Sequence, residues 1–282
     1  MKIAYCAGHD LSTPGKRVPA ELDAAQTREW VLNDRIADGF ARAAAQYPTV
    51  QLLRTDDPLG LTTIPIAKRT AKANAWGADL YIDMHHNAGI HLGKGGGLTI
   101  FSYPGSEKGA ACRDRVYREL LAAGAPRGNR ANPRCEKKFL SLSKTKMPAI
   151  LIEYGFMDSP SDWAAISAEE FGQRMGQATL EAVTAWAGIE KTDLRQQFLL
   201  QLQQLCGDKL PTLSAKKNRR HPAVKAVQQR LWQLGYTQVG EADGVAGAKF
   251  TAAVKAFQAD HGCVTDGELT AGCKTWKELM GA

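Results

Sequence analysis

A chain of 282 residues with 44% AVILMFWYC residues and 23% charged residues has material for one good-sized apolar core plus a smaller one, and is too apolar for a disordered chain. Its formal net charge of +7 would suit a polyanion, but the basic residues are spread along the sequence except for one cluster at Lys216, Lys217, Arg219 and Arg220, and no nucleic-acid motif accompanies them. No uninterrupted apolar run reaches the roughly 18 residues that a membrane span needs, so neither nucleic acid nor a membrane is the expected partner.

The opening MKIAYCAGHD has only a few apolar residues before Gly8, His9 and Asp10, too short a stretch for the core of a signal peptide. Synthesis in the cytoplasm without a signal peptide is therefore expected. The cysteines Cys6, Cys112, Cys135, Cys206, Cys263 and Cys273 include no C-x-x-C pair, and free thiols are the expectation.

KIAYCA (2–7) reads as a first strand. A helix follows over about 27–45, with Trp30, Val31, Ile36, Phe40 and Ala44 as its apolar positions. VQLLR (50–54) is the second strand, 66–76 a helix, and LYIDM (80–84) and GLTIFSY (97–103) are strands. A helix over 108–123, the strand AILIE (149–153) and a helix over 168–187 complete the pattern. This alternation over residues 1–188 predicts an α/β domain, a twisted, mostly parallel sheet flanked by helices. Several of the runs are apolar on both faces, as strands covered from both sides must be.

Residues 189–220 read as a linker with a possible short helix at RQQFLLQLQQL (195–205), because DKLPTLSAKKNRR (208–220) holds no sustained period. Beyond it, residues 221–282 predict a small all-α three-helix domain. Its first helix (222–236) carries Val224, Val227, Leu231 and Leu234 at steps of three and four and stops at Gly235. An Asp243-Gly244 turn, a helix over 249–262, an Asp266-Gly267 turn and a short helix at 275–279 follow.

Three of the predicted strands run into chemistry-bearing residues: His9 after the first, His85 after LYIDM, and Glu153 at the end of AILIE. In open α/β sheets functional groups gather beyond the carboxyl ends of strands. A hydrolytic zinc site needs three protein ligands and an open fourth position. The third ligand is Glu29, in the first turns of the helix after the His9 loop, with Glu21 as the rival; Asp23 and Gln26 have capping-box spacing and mark the helix start. A carboxylate buried behind PAILI costs several kcal/mol unless it is paired or functional, which singles out Glu153. His86 points to the opposite strand face from His85, so it is assigned to packing or to support of the ligands. Gly95-Gly96-Gly97 lacks the following helix of a phosphate cradle and is expected to be a flexible loop.

The segments AGHD (His9), EWVLN (Glu29 to Asn33), HHN (His85 to Asn87) and EYGF (Glu153 to Phe156) stand in this order, with RTDD (54–57), Arg69 and AKANAWGADLYI (71–82) between them. In these motifs residues 1–188 resemble the zinc-dependent N-acetylmuramoyl-L-alanine amidases of phage endolysins and bacterial cell-wall hydrolases. The resemblance implies that His9, Glu29 and His85 bind Zn²⁺ and that Glu153 is the catalytic carboxylate. Its Glu-x-x-x-Asn register fits Glu29 and not Glu21. Two departures stand out: Asp10, Leu11 and Ser12 replace glycines that commonly follow the first His, and Asp83 stands where Ser is usual. Residues 221–282 resemble three-helix peptidoglycan-binding modules through VKAVQQRLWQLGY, ADGVAGAKFTAAVKAFQADHG and DGELTAGCKTWKEL. The expected activity is lysis of bacterial peptidoglycan at the bond between N-acetylmuramic acid and L-alanine, after release of the protein to the wall. The alternatives are a zinc peptidase cutting within the stem peptide and a non-catalytic wall-binding protein.

Overall fold

The computed structural model describes residues 1–281, in two compact units, Met1–Lys191 and the residues from Thr192 onward. In chain order the first unit contains β1 (Lys2–Ala7), α1 (Glu29–Ala43), β2 (Gln51–Arg54), α2 (Ile66–Trp76), β3 (Leu80–Asn87) and β4 (Thr99–Ser102). It continues with α3 (Glu107–Ala122), β5 (Arg134–Glu136), α4 (Leu140–Ser143), β6 (Ala149–Phe156), α5 (Pro160–Ile166) and α6 (Glu169–Trp186). The strands form one sheet in the order β2-β1-β3-β6-β4-β5. Every pairing is parallel except that of β4 with β6.

Alternation along the strands explains the layers. Ile3, Tyr5, Ala7, Leu80, Ile82, Met84, Ile150 and Ile152 pack with apolar residues of α1, α3 and α6 in one core. The intervening Ala4, Cys6, Tyr81 and Leu151 pack with Ala73 of α2 and Leu142 of α4 on the other face. Helices α1 and α6 meet backbone to backbone, since a Cβ on Gly176 would collide with main-chain atoms of Ile36 and Phe40. That contact gives the helix carrying Glu29 a close-packed seat.

Three short elements escape the sequence pattern. Strand β5 and helix α4 are three and four residues long, too short for either periodicity to register. Helix α5 did carry a start signal, because Pro160 lies in its first turn and Ser159 caps it by accepting from the Asp162 amide. The expected capping role of Asp23 is corrected: its carboxylate accepts from the amides of Ala25 at 3.1 Å and Thr27 at 2.8 Å, a local turn ahead of the helix. The helix itself starts at Glu29 with no side-chain cap.

The second unit holds α7 (Leu194–Cys206), α8 (Ala223–Gln233), α9 (Ala248–Asp260) and α10 (Lys274–Met280). Within the stretch read as a linker, α7 buries Phe198 and Leu202 in one core with Val224, Val227, Leu231, Phe250, Phe257 and Trp276. Two glutamines clamp the two Asp-Gly turns in the same way. Gln228 Nε2 donates to Asp243 Oδ1 and its Oε1 accepts from the Gly244 amide, each at 2.8 Å. Gln258 repeats this with Asp266 Oδ1 and the Gly267 amide, again at 2.8 Å. All six cysteines are free. No described helix is long and apolar enough to cross a membrane.

Candidate metal centre

Strands β1 and β3 are neighbours, and the chain leaves β1 for β2 on one side and β3 for β4 on the other, so these two connections run in opposite directions. The carboxyl ends at such a switch point form a natural crevice. His9 follows β1, His85 lies near the end of β3, and Glu153 on β6 stands opposite His85 in the parallel register. Glu29, the first residue of α1, reaches the same place, its amide donating to the Lys16 carbonyl at 3.0 Å.

His9 adopts φ 65°, a left-handed conformation uncommon outside glycine. The buried Arg69 guanidinium holds it there, donating to the carbonyls of His9 at 2.9 Å, Ala7 at 2.9 Å and Ile64 at 2.7 Å. Asp10 organises the loop that lacks the glycines: its carboxylate accepts from the Ser12 amide at 2.8 Å, the Ser12 hydroxyl at 2.6 Å and the Thr63 hydroxyl at 2.7 Å.

The structure brings His9, Glu29 and His85 together, with one donor atom of each within 4.8 Å of the others. Glu29 Oε1 lies 3.1 Å from His85 Nδ1 and 3.4 Å from His9 Nε2. Two ligands at about 2.0–2.1 Å from a tetrahedral ion stand roughly 3.3–3.4 Å apart, so the two distances from Glu29 and this N, N, O donor set fit zinc. Glu29 is 0% exposed, its Oε2 lacks a hydrogen-bond partner, and Lys16 Nζ stands 3.5 Å from that oxygen. An unpartnered buried carboxylate oxygen is costly without a compensating cation. Gly8 is required by close approach, because a Cβ there would overlap the His85 ring.

Burial alone would raise the Glu29 carboxyl, but His85 and His9 outweigh it and hold the group well below the usual carboxylate range. Glu153 differs. Burial pushes its carboxyl up to about 7, and its Oε2 has no partner.

A supporting set surrounds the cluster. His86, 2% exposed, faces away from the cluster and places Nδ1 2.8 Å from Asn33 Oδ1, while Asn33 Nδ2 donates to the Gly8 carbonyl at 3.1 Å. Burial pushes His86 down to about 4, so its ring is neutral near pH 7. The Glu-x-x-x-Asn spacing therefore lets one helix turn deliver Glu29 to the cluster and Asn33 to the backbone beside it. On the other side of His85, Asp83 Oδ1 lies 3.1 Å from Nε2. Glu21 is exposed and outside the cluster. In the Gly95–Gly97 loop the Gly97 amide donates to Asp162 Oδ2 at 2.7 Å and the Gly96 amide to Asn129 Oδ1 at 3.3 Å. Those amides are thus unavailable to a phosphate. The approach of Lys16 has no local spacing to announce it, whereas the contact beneath His85 follows from the i, i+2 spacing of Asp83 and His85 on β3, a signal the sequence carried and that was not used.

The profile of the N-acetylmuramoyl-L-alanine amidase family matches residues 3–185, more than half of the chain. The chain belongs to the N-acetylmuramoyl-L-alanine amidase family. A second profile, that of a peptidoglycan binding domain, matches residues 220–278 of this amidase-family protein. It is 33% identical over 181 residues to N-acetylmuramoyl-L-alanine amidase CwlM of Bacillus licheniformis, covering 63% of this chain and 65% of that one. It is 28% identical over 209 residues to the sporulation-specific N-acetylmuramoyl-L-alanine amidase of Bacillus subtilis (strain 168), covering 72% and 74%. Among solved structures, the N-acetylmuramoyl-L-alanine amidase of Clostridium difficile 630 superposes with a TM-score of 0.59 at 21% identity, over 66% of this chain and 96% of that one. The catalytic domain of CwlV from Bacillus (Paenibacillus) polymyxa var. colistinus gives 0.58 at 18% identity, over 67% and 99%. These two structures share the fold of the first unit.

Proposed function

We propose that this protein hydrolyses the amide bond between N-acetylmuramic acid and L-alanine in bacterial peptidoglycan, using Zn²⁺ held by His9, Glu29 and His85, with Glu153 as the catalytic carboxylate. The observation that carries the reading is the convergence of two imidazoles and a fully buried carboxylate within 4.8 Å, on a chain matched by the amidase family over residues 3–185. Zn²⁺ bound there supplies Lewis acidity toward the amide carbonyl and toward water.

Glu153 is suited to moving the proton. A carboxyl near neutrality balances the two halves of the task, accepting a proton from the attacking water as carboxylate and giving it up as acid. The recipient is the L-alanine nitrogen, which must gain a proton as its bond to the lactyl carbonyl breaks. Glu29 is the poorer proton carrier, because its Oε1 faces both imidazoles and they hold its carboxyl well below the usual carboxylate range. The second unit, matched by a peptidoglycan binding domain, would hold the chain on its polymeric substrate and raise the effective concentration of scissile bonds.

Mass spectrometry of purified peptidoglycan digested with the zinc-loaded protein tests the reading. Stem peptides with a newly freed L-alanine amino group, and glycan strands without new reducing ends, are expected. Cuts inside the stem peptide would make it a peptidase, and binding without any product would make it a wall-binding protein.

A further inference from the structure

We propose that Asp83 is a positioning residue for the metal site, fixing the ring of His85 so that Nδ1 is presented as the bare donor and Nε2 keeps its hydrogen. The inference rests on the zinc reading above and adds to it the residue that decides which imidazole nitrogen binds.

Asp83 and His85 are two residues apart on β3 and share a strand face, so the carboxylate reaches the ring edge directly. Asp83 Oδ1 lies 3.1 Å from His85 Nε2, and Glu29 Oε1 lies 3.1 Å from His85 Nδ1. The ring is thus set between two carboxylates at equal distance, and either nitrogen has an acceptor waiting. Were Nδ1 to keep its hydrogen toward Glu29, the atom facing the cluster would have no lone pair for a cation.

The surroundings of Asp83 break the tie. The residue is 4% exposed, and the Cys6 thiol donates to the same Oδ1 at 2.9 Å. Cys6 Sγ in turn lies 3.1 Å from the Tyr81 hydroxyl, which can supply the hydrogen that the sulfur accepts once the thiol points at Asp83. The carboxylate therefore acts as an acceptor toward both neighbours, and the hydrogen in its contact with the ring belongs to Nε2. Glu29, by contrast, is shared with His9 Nε2 at 3.4 Å and turns to the cation as a ligand. An imidazole that gives its far N–H to a carboxylate is held in one tautomer and orientation and is the more basic donor for it. This role also accounts for an acidic residue in a buried spot where the resemblance leads one to expect serine.

The test uses the full chain and zinc itself. Zinc affinity is measured by competition with a chromophoric chelator, and ¹⁵N NMR of the zinc-loaded protein locates the remaining imidazole proton of His85. In the native sequence that proton is expected on Nε2. Asp83→Ala is expected to weaken zinc binding about 10–100-fold, the range for loss of a partner behind a ligand, and to expose the Nε2 proton to rapid solvent exchange. Asp83→Asn keeps an acceptor oxygen, so it should retain the tautomer and recover part of the affinity. Cys6→Ala, which leaves the carboxylate in place, should change affinity less than Asp83→Ala does. A His85 proton on Nδ1 in the native zinc-loaded protein, or folded Asp83→Ala that binds zinc like the native chain, overturns the proposal alone. Failure of the native chain to bind zinc at all overturns the metal reading with it.

Discussion

Replacing Glu153 with glutamine should abolish activity and yet stabilise the metal-free protein at alkaline pH. Its carboxyl is pushed from an ordinary 4.5 up to about 7, chiefly by burial. The native state therefore holds this proton more tightly than the unfolded chain does. Above pH 7 the ionised group destabilises the fold, the cost fades as pH falls, and below about 4.5 it is gone. At about 1.4 kcal/mol per pKa unit the full separation corresponds to roughly 3 kcal/mol. Partial solvent contact and the new amide hydrogens, which need acceptors, reduce the expected gain to about 2 kcal/mol. Urea denaturation of the chelator-treated chain near pH 8 and near pH 5 reads this as a higher midpoint for Glu153→Gln at the first pH and little difference at the second. A variant no more stable than the native chain near pH 8 would refute the reasoning, because it would mean that the carboxylate is comfortable where it sits.

Gly8→Ala should weaken zinc binding about tenfold or more in a chelator competition, because the added methyl overlaps the His85 ring and must push it from its place between Glu29 and Asp83. Arg69→Met strips the carbonyls of His9, Ala7 and Ile64 of a charged donor and should cost about 3 kcal/mol or more in urea denaturation while also lowering zinc affinity. The acid limb of kcat/KM should lie at or below about pH 7, because Glu153 must be ionised to accept the water proton. Zinc content measured across the same range should stay constant over that limb, and a limb that tracks metal loss instead would remove Glu153 from the explanation. Phe198→Ala should destabilise the second unit by about 3–5 kcal/mol, because that ring is 3% exposed within its core. Cleavage of a small soluble muropeptide should be unchanged in that variant.

The sheet and its site were legible in the sequence because both depend on local patterns. Apolar runs such as KIAYCA and AILIE mark strands buried on two faces, and the residues that follow parallel strands are delivered to one edge of the sheet whatever the loops do. Long helices such as α1 and α6 announce themselves by period. Short pieces do not: β5 and α4 carry too few residues for any period, and their place is set by neighbours. Helix α7 shows a different limit. Phe198 and Leu202 form an apolar stripe one turn apart, but the sequence does not say whether such a stripe finds a core, and the Pro- and Lys-rich segment after it reads as open chain. At the site, His9 and His85 were identifiable by residue type and by their place at strand ends, while the choice of Glu29 over Glu21 was settled by the family resemblance. What holds His9 was not legible, because Arg69 on its carbonyl is a contact of orientation. Such contacts depend on which way a side chain turns once the backbone is in place.

X-ray absorption at the zinc edge of the full chain loaded with one equivalent of metal reads the coordination shell directly. Nitrogen and oxygen neighbours at about 2.0–2.2 Å are expected, with the multiple-scattering signature of two imidazoles, one of which disappears in His85→Ala. Sulfur at about 2.3 Å from any of the six cysteines, or an imidazole count unchanged by His85→Ala, would contradict a metal held by His9, Glu29 and His85.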